Sequence, residues 1–251
     1  LASLAVFLLV SAQANATVVR FETAMGRFDV NLYDRRTPAT VANFLAYVNG
    51  GAYTNVVLHR SVSGFVVQGG AFTFPGSLPL ADIVERAAVA NEPLLSNVRG
   101  TIAMAKLPGS VNSATSQWFI NMGNNSANLD VQNGGFTVFG EVTSGGMAVL
   151  DAINTLPTFA ASTAIDTLPL RNYTAQDAAA GAPITAQNLV FATTVTVIDG
   201  NADSAAALSP VANTLLNSNT PPPASDSGGG GGSTGIVSLL LLGALALRRR
   251  T

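Results

Sequence analysis

LHRSVSGFVVQGGAFTF, residues 58–74, is the segment that indicates the fold of this chain most directly. It contributes to two predicted short strands, 56–60 and 65–68. Arg60 closes the first strand, and Phe65 and Gln68 bound the second. A lone arginine on a strand is usually an ordinary surface residue. The spacing to Phe65 and Gln68 is what makes Arg60 a candidate for chemistry.

Short strands are predicted on both sides of this stretch. Residues 18–33 are expected to form a hairpin, because apolar and polar residues alternate over 28–32 and Met25-Gly26 supplies a turn. The pattern predicts further strands at 101–105, 118–121, 136–141 and 189–198. Residues 158–186 lack such a pattern, so we interpret them as a long surface excursion before the last strand.

Two helices are predicted. The first begins with Thr37 as a suitable N-cap and Pro38 at the first helical position, and it ends at Gly50-Gly51. Its apolar face comprises Val41, Phe44, Leu45 and Val48. The second, weaker helix spans about 146–153, and its inward residues are Met147, Leu150 and Ile153.

Many short strands with only two helices predict a mainly β fold. The architecture that suits them is a closed antiparallel β-barrel with one helix over each mouth.

Composition excludes several classes of function. Hydrophobic residues make up 48% of the 251 residues and charged residues 10%, so a large core is expected and global disorder is excluded. Arg248, Arg249 and Arg250 stand at the extreme end, and without them nine basic residues face 14 acidic ones. That balance argues against a nucleic-acid surface. The absence of cysteine excludes disulfides, zinc-thiolate sites and thiol nucleophiles.

The N-terminal residues resemble a secretory signal. Residues 1–16 read LASLAVFLLVSAQANA, an uncharged apolar run followed by small residues in two small-x-small patterns. They lack an initiator Met and a basic start, so we expect a truncated signal peptide and a mature domain over residues 17–200. The alternative is a buried first strand or helix.

The C-terminal residues resemble a sorting tail. Proline, glycine and serine predict a flexible linker over 201–233. Within 234–251, the apolar run 236–247 is shorter than the roughly 20 residues of a stable membrane span, and three arginines follow it. This order resembles the GlyGly-CTERM tail, which implies transient membrane contact and processing by a rhomboid-like protease. The alternative is a plain C-terminal anchor. Either interpretation places the domain in the periplasm or at the cell surface of a Gram-negative-type bacterium.

Four separated motifs carry a resemblance to a known family. They are residues 58–74, GTIAMA at 100–105, TSQWFIN at 115–121 and FTVFG at 136–140. Their order and spacing resemble the cyclophilin-type peptidyl-prolyl cis-trans isomerases, especially the exported bacterial members. The resemblance covers residues 18–198 apart from the excursion. It implies an eight-stranded closed barrel.

The resemblance also implies roles for individual residues. Arg60 matches the catalytic arginine, and Gln68 matches the glutamine that steadies the arginine and the substrate. The residues implied to line the proline pocket and its rim are Phe65, Val66, Phe119, Leu129 and Phe136. The residues implied to form the groove for the substrate residues before the proline are Ala105, Lys106 and Gln117.

The implied activity is isomerisation of X-Pro bonds in exported polypeptide clients, by a monomer without cofactor or metal. Val66, Asn128 and Phe136 depart from the usual family residues at their positions, and they motivate a second hypothesis. In that hypothesis the chain is a catalytically weak module that binds proline-containing segments. A third hypothesis, based only on the tail, is a surface-displayed adhesin or scaffold.

Two further residues could be mistaken for functional ones. His59 is the only histidine, but strand alternation turns it away from Arg60, so we expect a satisfied core histidine rather than a general base. Trp118 lies next to Phe119 on the opposite strand face, so it is expected in the core or the pocket floor.

Overall fold

The computed structural model describes residues 17–143, 145–200 and 208–216. The helices within these ranges are α1 (Pro38–Asn49), α2 (Ser126–Leu129), α3 (Gly146–Asn154) and α4 (Ala175–Ala179), with a 3-10 turn at Gln132–Gly134. The strands are β1 (Val18–Thr23), β2 (Gly26–Leu32), β3 (Val56–Val57), β4 (Arg60–Val62), β5 (Val66–Gly69), β6 (Phe72–Thr73), β7 (Ala81–Asp82), β8 (Thr101–Met104), β9 (Trp118–Asn121), β10 (Val138–Val142), β11 (Thr158–Phe159), β12 (Leu168–Pro169) and β13 (Phe191–Asp199).

One large antiparallel sheet dominates the described residues, which confirms the mainly β prediction. Its strand order is β4-β5-β9-β8-β10-β2-β1-β13-β3-β6-β7, while β11 and β12 pair separately. The hairpin predicted at 18–33 is confirmed as β1 and β2, with Gly26 at a φ of 124° after the turn. Closure of the sheet into an eight-stranded barrel stays a prediction.

The strand predicted at 56–60 divides into β3 and β4 because the chain changes partner there. The N–H of Leu58 donates to the carbonyl of Val190, next to β13, over 2.9 Å. The N–H of His59 donates instead to the carbonyl of Gln68 in β5, over 3.1 Å. Alternation of residue types along a strand does not indicate such a change of partner, because the change depends on two strands that are far apart in the chain.

Both predicted helices are confirmed, as α1 and α3. Pro38 is the first residue of α1, and Gly51, with a φ of 69°, follows its C-terminus. Thr37 occupies the N-cap position, but its side chain makes no capping hydrogen bond. The carboxylate of Glu92 caps α1 instead, by accepting from the N–H groups of Ala39 (3.3 Å) and Thr40 (2.9 Å).

The excursion predicted at 158–186 contains β11, β12 and α4, and it also contacts the central strands. The N–H of Ser61 in β4 donates to the carbonyl of Thr167 over 2.9 Å. The excursion therefore lies beside the strand that carries Arg60.

The signal peptide predicted at 1–16 and the tail predicted at 234–251 lie outside the described residues. So do 201–207 and 217–233 of the predicted linker, whereas its residues 208–216 are hydrogen-bonded to the domain at residues 93–96. Across the described ranges, helices are too short or too polar to cross a membrane.

The sheet buries a different apolar cluster on each of its two faces. Alternate residues of β9 show the division: Trp118 and Ile120 belong to the main core, with α1, while Phe119 belongs to a second cluster. Trp118 is fully buried and meets the Phe21 ring edge-on at 5.1 Å, so its predicted core position is confirmed. The period of two along a strand separates neighbouring residues in this way.

Candidate active site

A row of residues crosses five strands on one face of the sheet. In the antiparallel pairs, Arg60 of β4 lies opposite Gln68 of β5, and Gln68 lies opposite Phe119 of β9. The row continues through Ala103 of β8 to Val138 of β10. Directly opposed residues of neighbouring strands project from the same face. The register therefore brings a cation, an amide and an aromatic ring to one surface.

An apolar cluster, here called the pocket cluster, covers this face. Its buried members are Tyr33, Val66, Leu95, Ala103, Phe119, Leu129, Phe136 and Val138. The half-buried residues that pack against it are Val62, Phe65, Ala105 and Leu208. The rings of Phe119 and Phe136 meet edge-on, with centroids 5.9 Å apart. All five residues that the resemblance assigns to the proline pocket and its rim are thus in this cluster or packed against it.

The Arg60 guanidinium is buried and incompletely paired. The residue is only 5% exposed, and Nη1 has no hydrogen-bond partner among the described residues. Burial lowers the pKa of Arg60 to about 10, and the charge of Asp166 in the excursion partly opposes that change. Buried charged donors almost always have an acceptor. The Nη1 N–H groups are therefore buried donors that no described residue uses.

Two glutamines join the arginine row to the neighbouring loop. Gln68 Nε2 donates to Gln117 Oε1 over 3.0 Å. The carbonyl of Gln117 accepts from the N–H of Ala105 over 2.9 Å. These two hydrogen bonds link Gln68 to Gln117 and Gln117 to Ala105. Two of the three predicted groove residues, Gln117 and Ala105, therefore lie beside the pocket cluster.

Lys106, the third predicted groove residue, directs its ammonium group into the protein. Nζ donates to the carbonyls of Asn133 (2.8 Å) and Gly135 (2.7 Å), and it lies 4.8 Å from the centroid of the Phe136 ring. Burial lowers the pKa of Lys106 to about 8. Its ammonium group therefore stabilises the loop before Phe136.

His59 is a core residue, as predicted, but it is not a satisfied one. It is 1% exposed, and its ring meets the edge of Phe72 at 4.9 Å. Neither ring nitrogen makes a hydrogen bond of normal geometry within the described residues. Burial, and next the charge of Arg60, lower its pKa to about 3, with a partial opposing effect of the Val57 backbone. Because the imidazole is buried it cannot contact a substrate, and its low pKa makes it a weak base, so His59 does not act as a general base.

The pocket walls are held in place by two asparagines that no sequence pattern indicated. Asn125 Nδ2 donates to the carbonyl of Phe65 over 2.9 Å, and the carbonyl of Asn125 accepts from the N–H of Leu129 over 2.8 Å. Asn154 in α3 holds the β4–β5 turn through bonds to Ser61 Oγ (2.8 Å) and to the N–H of Gly64 (2.9 Å). Isolated polar residues at helix ends carry no periodic signal, so nothing in the sequence indicated these contacts.

Groups of three His, Cys, Asp or Glu residues that could hold a metal ion are absent from the part of the chain that the structure describes. The chemistry that this geometry offers is hydrogen-bond donation from a desolvated cation next to an apolar surface.

Known proteins resemble this chain in sequence and in fold. The family model described as cyclophilin type peptidyl-prolyl cis-trans isomerase/CLD matches residues 18–175. A peptidyl-prolyl cis-trans isomerase of Acinetobacter baylyi is 38% identical over 155 residues, which are 60% of this chain and 79% of that protein. Peptidyl-prolyl cis-trans isomerase A of Dickeya dadantii is 39% identical over 165 residues, 62% of this chain and 80% of that protein.

A solved structure supports the fold. The cyclophilin-type isomerase of Cryptosporidium parvum aligns with a TM-score of 0.53 at 21% identity, covering 74% of this chain and 99% of that one. The same protein crystallised in the presence of the dipeptide Ala-Pro aligns with a TM-score of 0.51. The family model spans more than half of the chain, and it includes Arg60, Gln68 and Phe119. This chain therefore belongs to the family of cyclophilin-type peptidyl-prolyl cis-trans isomerases.

Proposed function

We propose that this isomerase accelerates rotation about X-Pro bonds in exported polypeptides, and that Arg60 carries the chemistry by donating a hydrogen bond to the prolyl nitrogen. One observation carries the assignment. The buried Nη1 of Arg60 has no hydrogen-bond partner among the residues that the structure describes, and the strand register brings Arg60 to the same sheet face as the pocket cluster.

The reaction requires only that the twisted bond be stabilised more than the planar one. Resonance gives the peptide bond a rotation barrier of about 18–20 kcal/mol. Twisting breaks the conjugation and returns a lone pair to the prolyl nitrogen, which can then accept from a guanidinium N–H. The planar amide offers no such acceptor, so this bond lowers the barrier selectively. A charge-assisted hydrogen bond worth about 1.5–3 kcal/mol corresponds to one to two decades in rate.

The pocket cluster contributes through solvation. A planar amide is more dipolar than a twisted one, so removing water from the carbonyl favours the twisted form. Phe65, Phe119 and Leu129 are the residues we propose to contact the proline ring, with Val66 and Phe136 behind them. Gln68, held by Gln117, is in register to support Arg60 and the substrate carbonyl.

We place the clients of the enzyme outside the cytoplasm. The support is the signal-like pattern at 1–16 and the tail at 234–251, with processing by a rhomboid-like protease as the expected fate of the tail. Mass spectrometry of the intact secreted protein would identify both mature ends.

We also propose that the enzyme is a monomer and that its sheet closes into a barrel through residues 56–62, since the two halves of that segment pair with β13 and β5.

The decisive experiment is an isomerase assay on a short Ala-Pro peptide with the wild type and Arg60→Ala. The expected result is a loss of about one to two decades in kcat/KM. Arg27→Ala is the matched control, because Arg27 is an exposed arginine on β2, away from the row. Wild-type turnover no faster than buffer, together with measurable peptide binding, would instead favour the catalytically weak binding module.

A further inference from the structure

Residues 208–216, here called the docking segment, pair with the domain as an added strand. The N–H of Ser96 donates to the carbonyl of Val211 over 2.8 Å, and the N–H of Asn213 donates to the carbonyl of Leu94 over 2.9 Å. These two bonds flank an antiparallel pair between Leu95 and Ala212. An extended peptide that adds itself to an available strand edge is bound in the same way.

Asn213 anchors the docking segment through both ends of its side-chain amide. Nδ2 donates to the carbonyls of Asp130 (2.9 Å) and Pro93 (3.2 Å). Oδ1 accepts from the N–H groups of Leu215 (3.0 Å) and Leu216 (3.2 Å), which forms a turn at the end of the segment. One side chain therefore fixes the register of the segment.

The surface that receives the docking segment is continuous with the pocket cluster. Leu95, at the centre of the pairing, is itself a buried member of that cluster, and Asp130 directly follows its member Leu129. The Asp130 carboxylate accepts from Ser96 Oγ over 2.6 Å, so the two sides of the docking surface are tied together. At the other end of the segment, Leu208 packs against the pocket cluster.

The docking segment is held loosely for a strand. Val211 is 54% exposed and Leu216 is 37% exposed, and Leu94 on the receiving side is 58% exposed. Apart from the bonds of the Asn213 side chain, its pairing consists of two backbone bonds that any extended polypeptide can also make. The segment further contains a Ser209-Pro210 bond, with Pro210 half-buried, two residues after Leu208.

We propose that residues 93–96, with the end of α2, form a binding site for extended polypeptide beside the proline pocket, and that the docking segment is its resident, displaceable occupant. This inference rests on the proposed function, since the competing ligand is a proline-containing client. A client that extends past the pocket must displace the docking segment to pair with Leu94 and Ser96. The docking segment therefore lowers activity by holding part of the population closed.

The test uses the full chain and the variant Asn213→Ala, with Thr214→Ala as the matched control because Thr214 is exposed in the same segment. Amide hydrogen exchange at Ser96 reports directly whether the segment is docked. Asn213→Ala is expected to speed that exchange and to raise kcat/KM by about threefold or more on a proline-containing peptide long enough to extend past the pocket, because more of the population becomes competent. Thr214→Ala should leave both unchanged.

A second arm supplies the segment in trans. A synthetic peptide of residues 208–216 added to the Asn213→Ala protein should slow Ser96 exchange again and inhibit competitively. The same peptide with alanine in place of Asn213 should do neither. Leu208→Ala provides an independent variant, which should also raise kcat/KM.

Faster Ser96 exchange with an unchanged or lower kcat/KM, in both Asn213→Ala and Leu208→Ala, would overturn the proposal. Failure of the proposed function looks different. In that case the wild type would be inactive with the Ala-Pro peptide, while the exchange experiment would still report binding of the peptide in trans.

Discussion

Arg60 lies directly opposite Gln68 in the β4–β5 pair, and Gln68 in turn donates to Gln117 over 3.0 Å. The arginine thus stands next to a glutamine whose own amide is held in place, while Nη1 of Arg60 has no hydrogen-bond partner within the described part of the chain. Such an arrangement keeps a charged donor ready before the ligand arrives, which is the form of preorganisation that favours a transition state.

Alkaline pH should abolish the contribution of Arg60, since its pKa is lowered to about 10. Below that pH the guanidinium is charged, so the contribution of Arg60 to kcat/KM should fall as pH rises through 10, separately from any earlier fall near pH 8, where Lys106 loses its proton. Exchange NMR on an Ala-Pro peptide measures the profile without a coupling protease.

Asp166 raises the pKa of Arg60, so Asp166→Asn should move the midpoint of that fall to lower pH. Asp82→Asn is the control, because Asp82 is an exposed carboxylate on β7. Equal midpoints in the wild type and Asp166→Asn would contradict the assignment of the titration to Arg60.

Asn125→Ala should weaken substrate binding, because it removes the side-chain bond that ties the Phe65 wall of the pocket to the turn before Leu129, while the backbone bond from Leu129 to Asn125 remains. We expect kcat/KM to fall about tenfold, mainly through a higher KM, since loss of wall geometry affects positioning. Asn49→Ala, at an exposed asparagine of α1, serves as control. A fall in kcat at constant KM would assign Asn125 a different role.

Mild acid should destabilise the fold through His59, whose pKa is lowered from 6.5 to about 3. Between these pH values the unfolded chain binds a proton that the folded chain does not. The free energy of unfolding therefore falls as pH drops below 6.5, by about 2 kcal/mol between pH 7 and pH 5.

His59→Leu should remove this part of the pH dependence, while the carboxylates contribute equally to both proteins. Urea unfolding at the two pH values provides the measurement. A His59→Leu protein with the wild-type pH slope would show that the imidazole is not the group responsible.

Glu92→Ala should destabilise the protein by about 1–2 kcal/mol, because its carboxylate caps the N-terminus of α1 where the Thr37 side chain does not. Urea unfolding at neutral pH measures the change, and kcat/KM should stay near the wild-type value. Glu85→Ala is the control, since Glu85 bonds only to the exposed hydroxyl group of Thr115 among the hydrogen bonds described. An equal loss in both variants would argue against capping.

Local sequence patterns were sufficient to predict the main strands and helices and to identify Arg60, Gln68 and Phe119 as candidate site residues. Alternation located the β1–β2 hairpin and placed Trp118 and Phe119 on opposite faces, because a strand has a period of two. Pro38 and Gly50-Gly51 indicated the ends of α1. Proline restricts the backbone and glycine allows it conformations that other residues avoid, and neither effect requires a tertiary contact.

Tertiary structure decided what the side chains do. Lys106 bonds to the loop at Asn133 and Gly135, Glu92 caps a helix that begins far from it in sequence, and Asn125 bonds to Phe65. The docking segment was expected to be linker, yet it pairs with Leu94 and Ser96. Each of these contacts depends on a partner distant in the chain. Residue type and spacing determine which groups can bond, but only the packed fold determines which of them meet.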